Sequence, residues 1–207
     1  ALSSYSQSSD INAFGGRFKY SKIVSLIDDS ARGVTSNITK VKMRRDITPE
    51  INTFATYELC YGNAFFKQRN GYGIRSTGFN VSNISGTVYM GDIPTAGTDV
   101  GKIIFFKLEN NLPLVVKNDA GTIDYVHGEI NLDVVNITGT SLANGQIQVE
   151  AIPQSNDVIA LKDLYLQLDV TNSSVNALPD VVSSGENTSA TAYVTTSSYA
   201  SESIYTR

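Results

Sequence analysis

The chain contains 207 residues, 41% of them hydrophobic and 17% charged, and its formal net charge is -4. This composition excludes a disordered acidic chain, and the lack of any apolar run near the ~20 residues that span a bilayer excludes a helical membrane protein. The acidic balance disfavours nucleic acid as a main partner, because phosphate backbones attract a basic surface.

The start of the chain and its cysteine content bear on how the protein is made. The first residue is Ala1, and the opening segment has neither the basic start nor the apolar core of a signal peptide. We therefore expect a fragment or a processed product of a longer protein. The single Cys60 excludes an internal disulfide and fits assembly in a reducing compartment.

Two helices are predicted near the start of the chain. The first would cover residues 1–12. The second would run from Ser21 to Ala31, where apolar side chains recur at near-helical spacing. Ser21 is the expected N-cap of this helix, and Gly33 is the expected stop after its last turn.

An edge strand is predicted from Thr39 to Arg45, because apolar and basic residues alternate there. Val41 and Met43 would face inward, and the outward residues would be Lys40, Lys42 and Arg44. Outward charges deter stray pairing at a sheet edge. A nucleic-acid stripe is the alternative interpretation, but the interleaved aromatic residues of such stripes are missing.

Most of the remaining chain is predicted as short strands separated by turn residues. They cover Thr53 to Tyr61, Ile74 to Val81, Ser85 to Tyr89, Ile103 to Leu108, Leu114 to Lys117, Ile123 to Val126, Glu129 to Val135, Ile147 to Ile152 and Leu164 to Val170. The continuous apolar run Ile103 to Leu108 predicts a central strand that is buried on both faces. A turn is expected at Asn110-Asn111 and another over residues 118–122, with a loop over residues 91–101.

These elements predict a mainly β fold of the α+β class, with an antiparallel, sandwich-like core and one or two N-terminal helices. We expect a helical segment over residues 1–38 that packs on a β-rich core over residues 39–170. Residues 171–207 are rich in Ser, Thr and Asn, and they would form an arm or one last hairpin. The whole is expected to be a single structural unit.

The sequence contains no motif for catalysis, a cofactor or a metal ion. The lone His127 lies between two hairpin strands without the nucleophile elbow of a hydrolase, so a turn histidine is the preferred interpretation. Asp119 together with Asp124 could bind calcium in a turn, but a plain Asx turn is the preferred interpretation of these residues. We therefore expect no enzyme activity, no cofactor and no metal.

Several segments, taken together, resemble a known family. They are FGGRFKYSKIVSLID, DITPEINTFATYEL, STGF, GTIDYVHGEINL and IQVEAIPQSNDVIALKDLYLQLD. Their order is similar to the C-terminal part of the ring-forming baseplate wedge protein of T-even-type contractile-tailed phages, which is related to the J-type baseplate proteins. The resemblance covers roughly Asp10 to Val170, and it is most specific in the hairpin from Thr122 to Leu132 followed by the segment from Pro153 to Leu168.

This resemblance implies an architectural function in the virion. The protein would join wedge to wedge in the tail baseplate ring by pairing with a copy of itself as a homodimer. It would contact other baseplate wedge proteins through an N-terminal region that precedes this chain, and neither nucleic acid nor a membrane would be a partner. Synthesis would take place in the cytoplasm of the bacterial host.

Aromatic side chains are the candidates for the contact surface, because they contribute much of the binding energy of protein interfaces. One set of candidates is Tyr193, Tyr199 and Tyr205, and the other is Phe65, Phe66 and Tyr72. Burial in the core, or scattered exposure, is the alternative interpretation for each of them.

Two other functional classes are weighed against the structural one. The first is a carbohydrate- or receptor-binding β module of a tail fibre or an adhesin, which would use exposed Tyr and Asn side chains. The second is a hydrolase on a β scaffold, for which the sequence provides no motif.

Overall fold

The computed structural model describes residues 2–161, 164–178, 182–183 and 194–195. The chain divides into two compact units, residues 1–168 and residues 169–207. In the described part of the second unit, two short strands pair antiparallel, Val182–Ser183 with Val194–Thr195.

The described elements are numbered in chain order through both units. The helices are α1 Leu2–Ser6 and α2 Tyr20–Asp28. The strands are β1 Arg17–Phe18, β2 Met43–Ile47, β3 Phe54–Cys60, β4 Ile74–Ser76, β5 Phe79–Val81, β6 Ile84–Pro94, β7 Val100–Glu109, β8 Leu112–Asp124, β9 Glu129–Thr140, β10 Ile147–Ala151, β11 Val158–Ile159, β12 Val182–Ser183 and β13 Val194–Thr195.

The largest sheet closes on itself. Its six strands follow the order β3-β9-β5-β6-β7-β8, and β8 also pairs with β9, so five of the strands form a small antiparallel barrel with β3 attached to β9. Closure removes the free edges that an open sheet would present. With 44% strand and 8% helix, the predicted mainly β fold with N-terminal helices is confirmed.

Strand β7 is buried on both faces, as its apolar run predicts. Ile103 and Ile104 are both fully buried, although they point to opposite faces of the strand. Inside the barrel, the ring of Phe105 meets Phe79 edge to face at 5.3 Å between centroids. On the outer face, Phe106 packs against the rings of Tyr72 and Tyr89.

The hairpin between β7 and β8 turns through two asparagines. Glu109 pairs with Leu112, which leaves Asn110 and Asn111 as a two-residue loop with φ angles of 52° and 63°. Asparagine tolerates this left-handed conformation, and two such residues match the twist of the flanking strands. The predicted turn at Asn110-Asn111 is therefore confirmed.

The turn predicted over residues 118–122 is wrong, because these residues lie within β8. Phe105 pairs with Lys117 and Ile103 pairs with Gly121, so the extra residues form a bulge in β8 and the strand continues. Gly121 is required for a close approach to β9, since a Cβ there would lie 2.1 Å from the carbonyl oxygen of Asn131.

The loop predicted over residues 91–101 is also mostly strand. β6 extends to Pro94 and β7 begins at Val100, and Pro94 pairs with Gly101. Glycine, aspartate and proline are common in turns, which is why the sequence predicted a loop here. In the structure, most of these residues lie in the paired strands β6 and β7. The helix over residues 1–12 is likewise shorter than predicted, because α1 ends at Ser6.

A second, three-stranded sheet has the order β2-β10-β4, so β2 is an edge strand as predicted. The strand begins at Met43, four residues later than expected, and Met43 is buried while Arg44 is exposed. The outward-facing Lys42 forms an ion pair with Glu150, with 2.6 Å between Nζ and Oε2.

The second helix starts and stops earlier than predicted. Its N-cap is Lys19 and not Ser21, and no side chain caps it from that position. The N–H of Tyr20 donates instead to Oδ1 of Asp157, 2.9 Å away and 137 residues later in the chain. The helix ends at Asp28, before the predicted stop at Gly33.

The strand predicted from Leu164 to Val170 does not form. A single bridge joins Tyr165 to Phe14, and the strand of this region is β11, which pairs with β1. Alternating apolar residues need a partner strand to form a ladder, and the described chain provides only that one bridge here.

The carboxyl group of Asp92, on barrel strand β6, links this strand to β4 of the second sheet and to the turn that follows β8. Asp92 is fully buried, its Oδ1 accepts the N–H of Ile74 at 2.7 Å, and its Oδ2 accepts the hydroxyl of Tyr125 at 2.6 Å. Its backbone carbonyl accepts the N–H of Tyr72, and a Cβ on Gly71 would lie 2.3 Å from that oxygen. Burial, together with the bond to Asp92, raises the pKa of Tyr125 far above its usual range, so the hydroxyl remains a donor.

We predict that Asp92→Ala lowers the free energy of unfolding by about 2–5 kcal/mol, because two buried donors lose their acceptor. Urea denaturation measures this change. The matched control is Asp119→Ala, which removes an exposed carboxylate 3.5 Å from Lys102 and should cost at most about 0.5–1 kcal/mol. Equal losses for the two variants would contradict the role assigned to Asp92.

Candidate interaction surfaces

Within the described residues, no cluster of three or more His, Cys, Asp or Glu side chains is placed to hold a metal ion. No helix in that part of the chain is long and apolar enough to cross a membrane. Three surface features stand out: a cleft beside Phe66, the turn that contains His127, and the tip of the hairpin between β7 and β8.

The cleft has a volume of about 300 Å³ and lies beside the turn that follows β8. Phe66 is 49% exposed and Val126 is 56% exposed, so both present apolar surface to it. The lining also includes an ammonium, a carboxylate and an amide group, which belong to Lys67, Asp99 and Gln154. The lining is therefore mixed, with apolar side chains beside charged and amide groups.

Backbone hydrogen bonds fix the two phenylalanines of this segment. The N–H of Phe65 donates to the carbonyl of Tyr125 at 2.7 Å, and that of Phe66 donates to Ile152 at 2.8 Å. Successive side chains of an extended segment point in opposite directions. Phe65 therefore enters the core, where it is 2% exposed and meets Tyr61 edge to face at 5.1 Å, while Phe66 reaches the surface.

Tyr72 is not among the residues that line this cleft. It adopts a left-handed conformation with φ of 63°, and its ring meets Phe106 edge to face at 5.3 Å. The guanidinium of Arg75 lies over the same ring at 4.8 Å. The structure therefore brings Phe65 and Phe66 to one cleft, whereas Tyr72 contacts Phe106 and Arg75. The other set of candidates, Tyr193, Tyr199 and Tyr205, lies outside the described residues.

The turn between β8 and β9 is built on Asp124. Its Oδ1 accepts the N–H groups of Val126 and His127, both at 2.9 Å, which forms an Asx turn. Gly128 closes the turn with φ of 69°, and a Cβ there would lie 2.0 Å from the carbonyl oxygen of Asn63. The prediction of a turn histidine is confirmed, and the predicted Asx turn forms at Asp124, whereas Asp119 lies within β8.

His127 and Asp124 also form an exposed pair, with 2.8 Å between Nδ1 and Oδ2. The hydrogen bond to Asp124 raises the pKa of His127 above its ordinary value. The backbone N–H of His127, followed by its ring, lowers the pKa of Asp124. Each group thus stabilises the charged form of the other.

Three exposed leucines surround the tip of the β7–β8 hairpin, and the sequence reasoning did not identify them. Leu108 is 49% exposed, Leu112 is 70% exposed and Leu114 is 47% exposed. In a sequence, apolar residues on a strand indicate a core. The signal that could have identified these leucines is the Asn110-Asn111 turn between them, because residues next to a turn lie at the end of a sheet.

A comparison with known families matches residues 1–46 to the family described as baseplate structural protein gp6, C-terminal domain III. It covers 46 of the 207 residues and includes the segment FGGRFKYSKIVSLID. The match agrees with the resemblance to the C-terminal part of a baseplate wedge protein, and it indicates a structural role in a phage tail baseplate. The other segments that carry the resemblance lie wholly or almost wholly beyond residue 46. No curated protein matches the chain.

We predict that the imidazole of His127 titrates above its ordinary pKa of 6.5 and that Asp124→Asn lowers its pKa towards that value. The chain has one histidine, so NMR of the imidazole protons reports on it alone. The stabilising effect of His127 is present below the unfolded pKa of histidine and is lost as pH rises through the folded pKa. That of Asp124 is present above 3.8 and is lost as pH falls through its lowered pKa.

The pair therefore stabilises the turn most between about pH 4 and 6.5. Asp133→Asn is a matched control, because it removes an exposed carboxylate from the adjoining strand β9 without touching the turn. A pKa of His127 that is the same in the wild-type and Asp124→Asn chains would refute the assignment.

Proposed function

We propose that this chain is a structural component of a phage tail baseplate that links neighbouring wedges into a ring by self-association. The observation that carries the proposal is the similarity of residues 1–46 to a baseplate structural domain. Exposed apolar side chains on a closed, rigid β scaffold suit such a role, because a partner can bury them without rearranging the core.

We further propose that the partners are a second copy of the chain and other baseplate wedge proteins. The latter would be contacted through a region that precedes this chain, and the protein would be made in the host cytoplasm. The function requires shape-matched contact and no reaction, so we assign no catalytic role, cofactor or metal to any residue, and neither nucleic acid nor a membrane is a proposed partner.

The proposed contact residues remain aromatic. Phe66 is supported by its exposed ring beside an open cleft. Tyr193, Tyr199 and Tyr205 are supported by the composition of the tail, in which they are the large aromatic side chains. Phe65 would act through Phe66 by fixing the adjoining backbone, and Tyr72 would contribute the ring that it presents beside Arg75.

A carbohydrate- or receptor-binding module is the second candidate function. The cleft favours it, because an exposed aromatic ring lies among an ammonium, a carboxylate and an amide group that could bind hydroxyls. A glycan array with the wild-type chain and with Phe66→Ala separates the two functions. Glycan binding that is lost in Phe66→Ala would favour the second function.

We predict that the chain is a dimer in sedimentation equilibrium. Deletion of Thr188 to Arg207 should weaken the dimer if the tail takes part. A full-length variant with Tyr193, Tyr199 and Tyr205 changed to Ser keeps the length of the tail and removes only its aromatic rings. It therefore separates the contribution of the aromatic rings from that of the rest of the tail. A monomer at high protein concentration would contradict self-association, and a dimer that tolerates both changes would exclude the tail.

A further inference from the structure

The tip of the β7–β8 hairpin extends beyond the strands that flank it. β6 pairs with β7 only up to Phe106, and β9 pairs with β8 only from Gly121 onwards. Residues 107–114, which we name the β-arm, therefore form a two-stranded ribbon whose described ladder partners are each other. A two-stranded ribbon is only marginally stable in water without further packing.

Both faces of the β-arm carry exposed apolar side chains. Residues that pair across a ladder share a face, and Leu108 pairs with Pro113 on one side of the ribbon. Glu109 pairs with Leu112 and Lys107 pairs with Leu114 on the opposite side, so that face combines two leucines with a carboxylate and an ammonium group. A flat partner would cover only one of these faces, so the ribbon suits a partner that surrounds it.

The polar tip argues against lipid as that partner. Asn110 and Asn111 carry their amides and exposed backbone groups at the end of the ribbon that would insert first. Such groups are costly to transfer into hydrocarbon. A protein partner can contact the apolar stem and leave the tip in water.

Pro113 argues against contact by strand addition. It is exposed and lies in β8, and it offers no backbone N–H to a neighbouring strand. Proline on a sheet edge interrupts a ladder and deters pairing there. The side chains on the faces of the ribbon are therefore the groups available for contact.

We propose that two copies of this chain clasp each other through their β-arms about a twofold axis, with Leu112 and Leu114 of one arm packed against those of the other. This rests on the self-association proposed above. A stable interface buries about 1,000 Å² or more. A twofold axis makes every contact twice, so two reciprocal arms bury twice the surface that a single arm would bury, and each arm covers its second face against the partner.

The first test is sedimentation equilibrium of the full chain carrying Leu112→Ser and Leu114→Ser. The dimer dissociation constant should rise at least tenfold. The matched control is Val134→Ser, which removes an apolar side chain that is 58% exposed on β9 and should leave the dissociation constant within twofold. Thermal unfolding of each variant verifies that the barrel is intact.

The outcomes separate this inference from the proposed function. A wild-type monomer would overturn both. A wild-type dimer whose dissociation constant is unchanged by the leucine substitutions would overturn the β-arm contact and leave self-association standing. Sedimentation of the wild-type chain with phosphatidylserine vesicles, lost in the leucine variant, would assign the arm to lipid and overturn the contact.

A second test does not depend on weakening the protein. Leu114→Cys is introduced into a chain with Cys60→Ser, so that one thiol remains, and a short bis-maleimide is added. Covalent dimers should form with Leu114→Cys and not with the control Val134→Cys. A dimeric protein that crosslinks no better through residue 114 than through residue 134 would overturn the proposal.

Discussion

The fold depends on one buried carboxyl group. Asp92 lies on a barrel strand. The two groups that donate hydrogen bonds to its carboxyl group come from β4 in the second sheet and from the turn between β8 and β9. A buried carboxyl group without donors would be strongly destabilising, so the three segments are held together by the cost of separating them. The orientation of the cleft beside Phe66 follows, because Tyr125 both bonds Asp92 and lines that cleft.

The surfaces that could bind partners are products of this rigid scaffold. Phe66 is exposed because the extended backbone around it alternates its side chains and Phe65 is required inside. The leucines of the β-arm are exposed because β7 and β8 continue past the last residues that β6 and β9 can pair with. In both places the alternation and pairing of strand residues that build the core also determine which side chains reach the surface.

The sequence correctly predicted the elements in which residue type and local pattern indicate the same structure. β7 was predicted from its apolar run, and the Asn110-Asn111 turn from residues that tolerate positive φ. Predictions failed where a residue type has two uses. Gly121 resembles a turn residue, but its missing side chain admits β9. Asp92 resembles a loop residue, but its partners are distant in the chain and invisible to local patterns. The candidate aromatic residues were identified by type alone, and only three-dimensional packing separates Phe66 from Phe65.

The placement of the two surfaces along β7 has a mechanical consequence. Asp99, which lines the cleft, directly precedes Val100 at the start of this strand, whereas the β-arm begins at its other end. Tension applied between the two would run parallel to the strand, and it would load the hydrogen bonds on either side of β7 in shear. Bonds loaded in this way share the force and rupture together, whereas bonds that are pulled open from one end fail one after another. The barrel is therefore oriented to transmit a pull along its strands with little stretching.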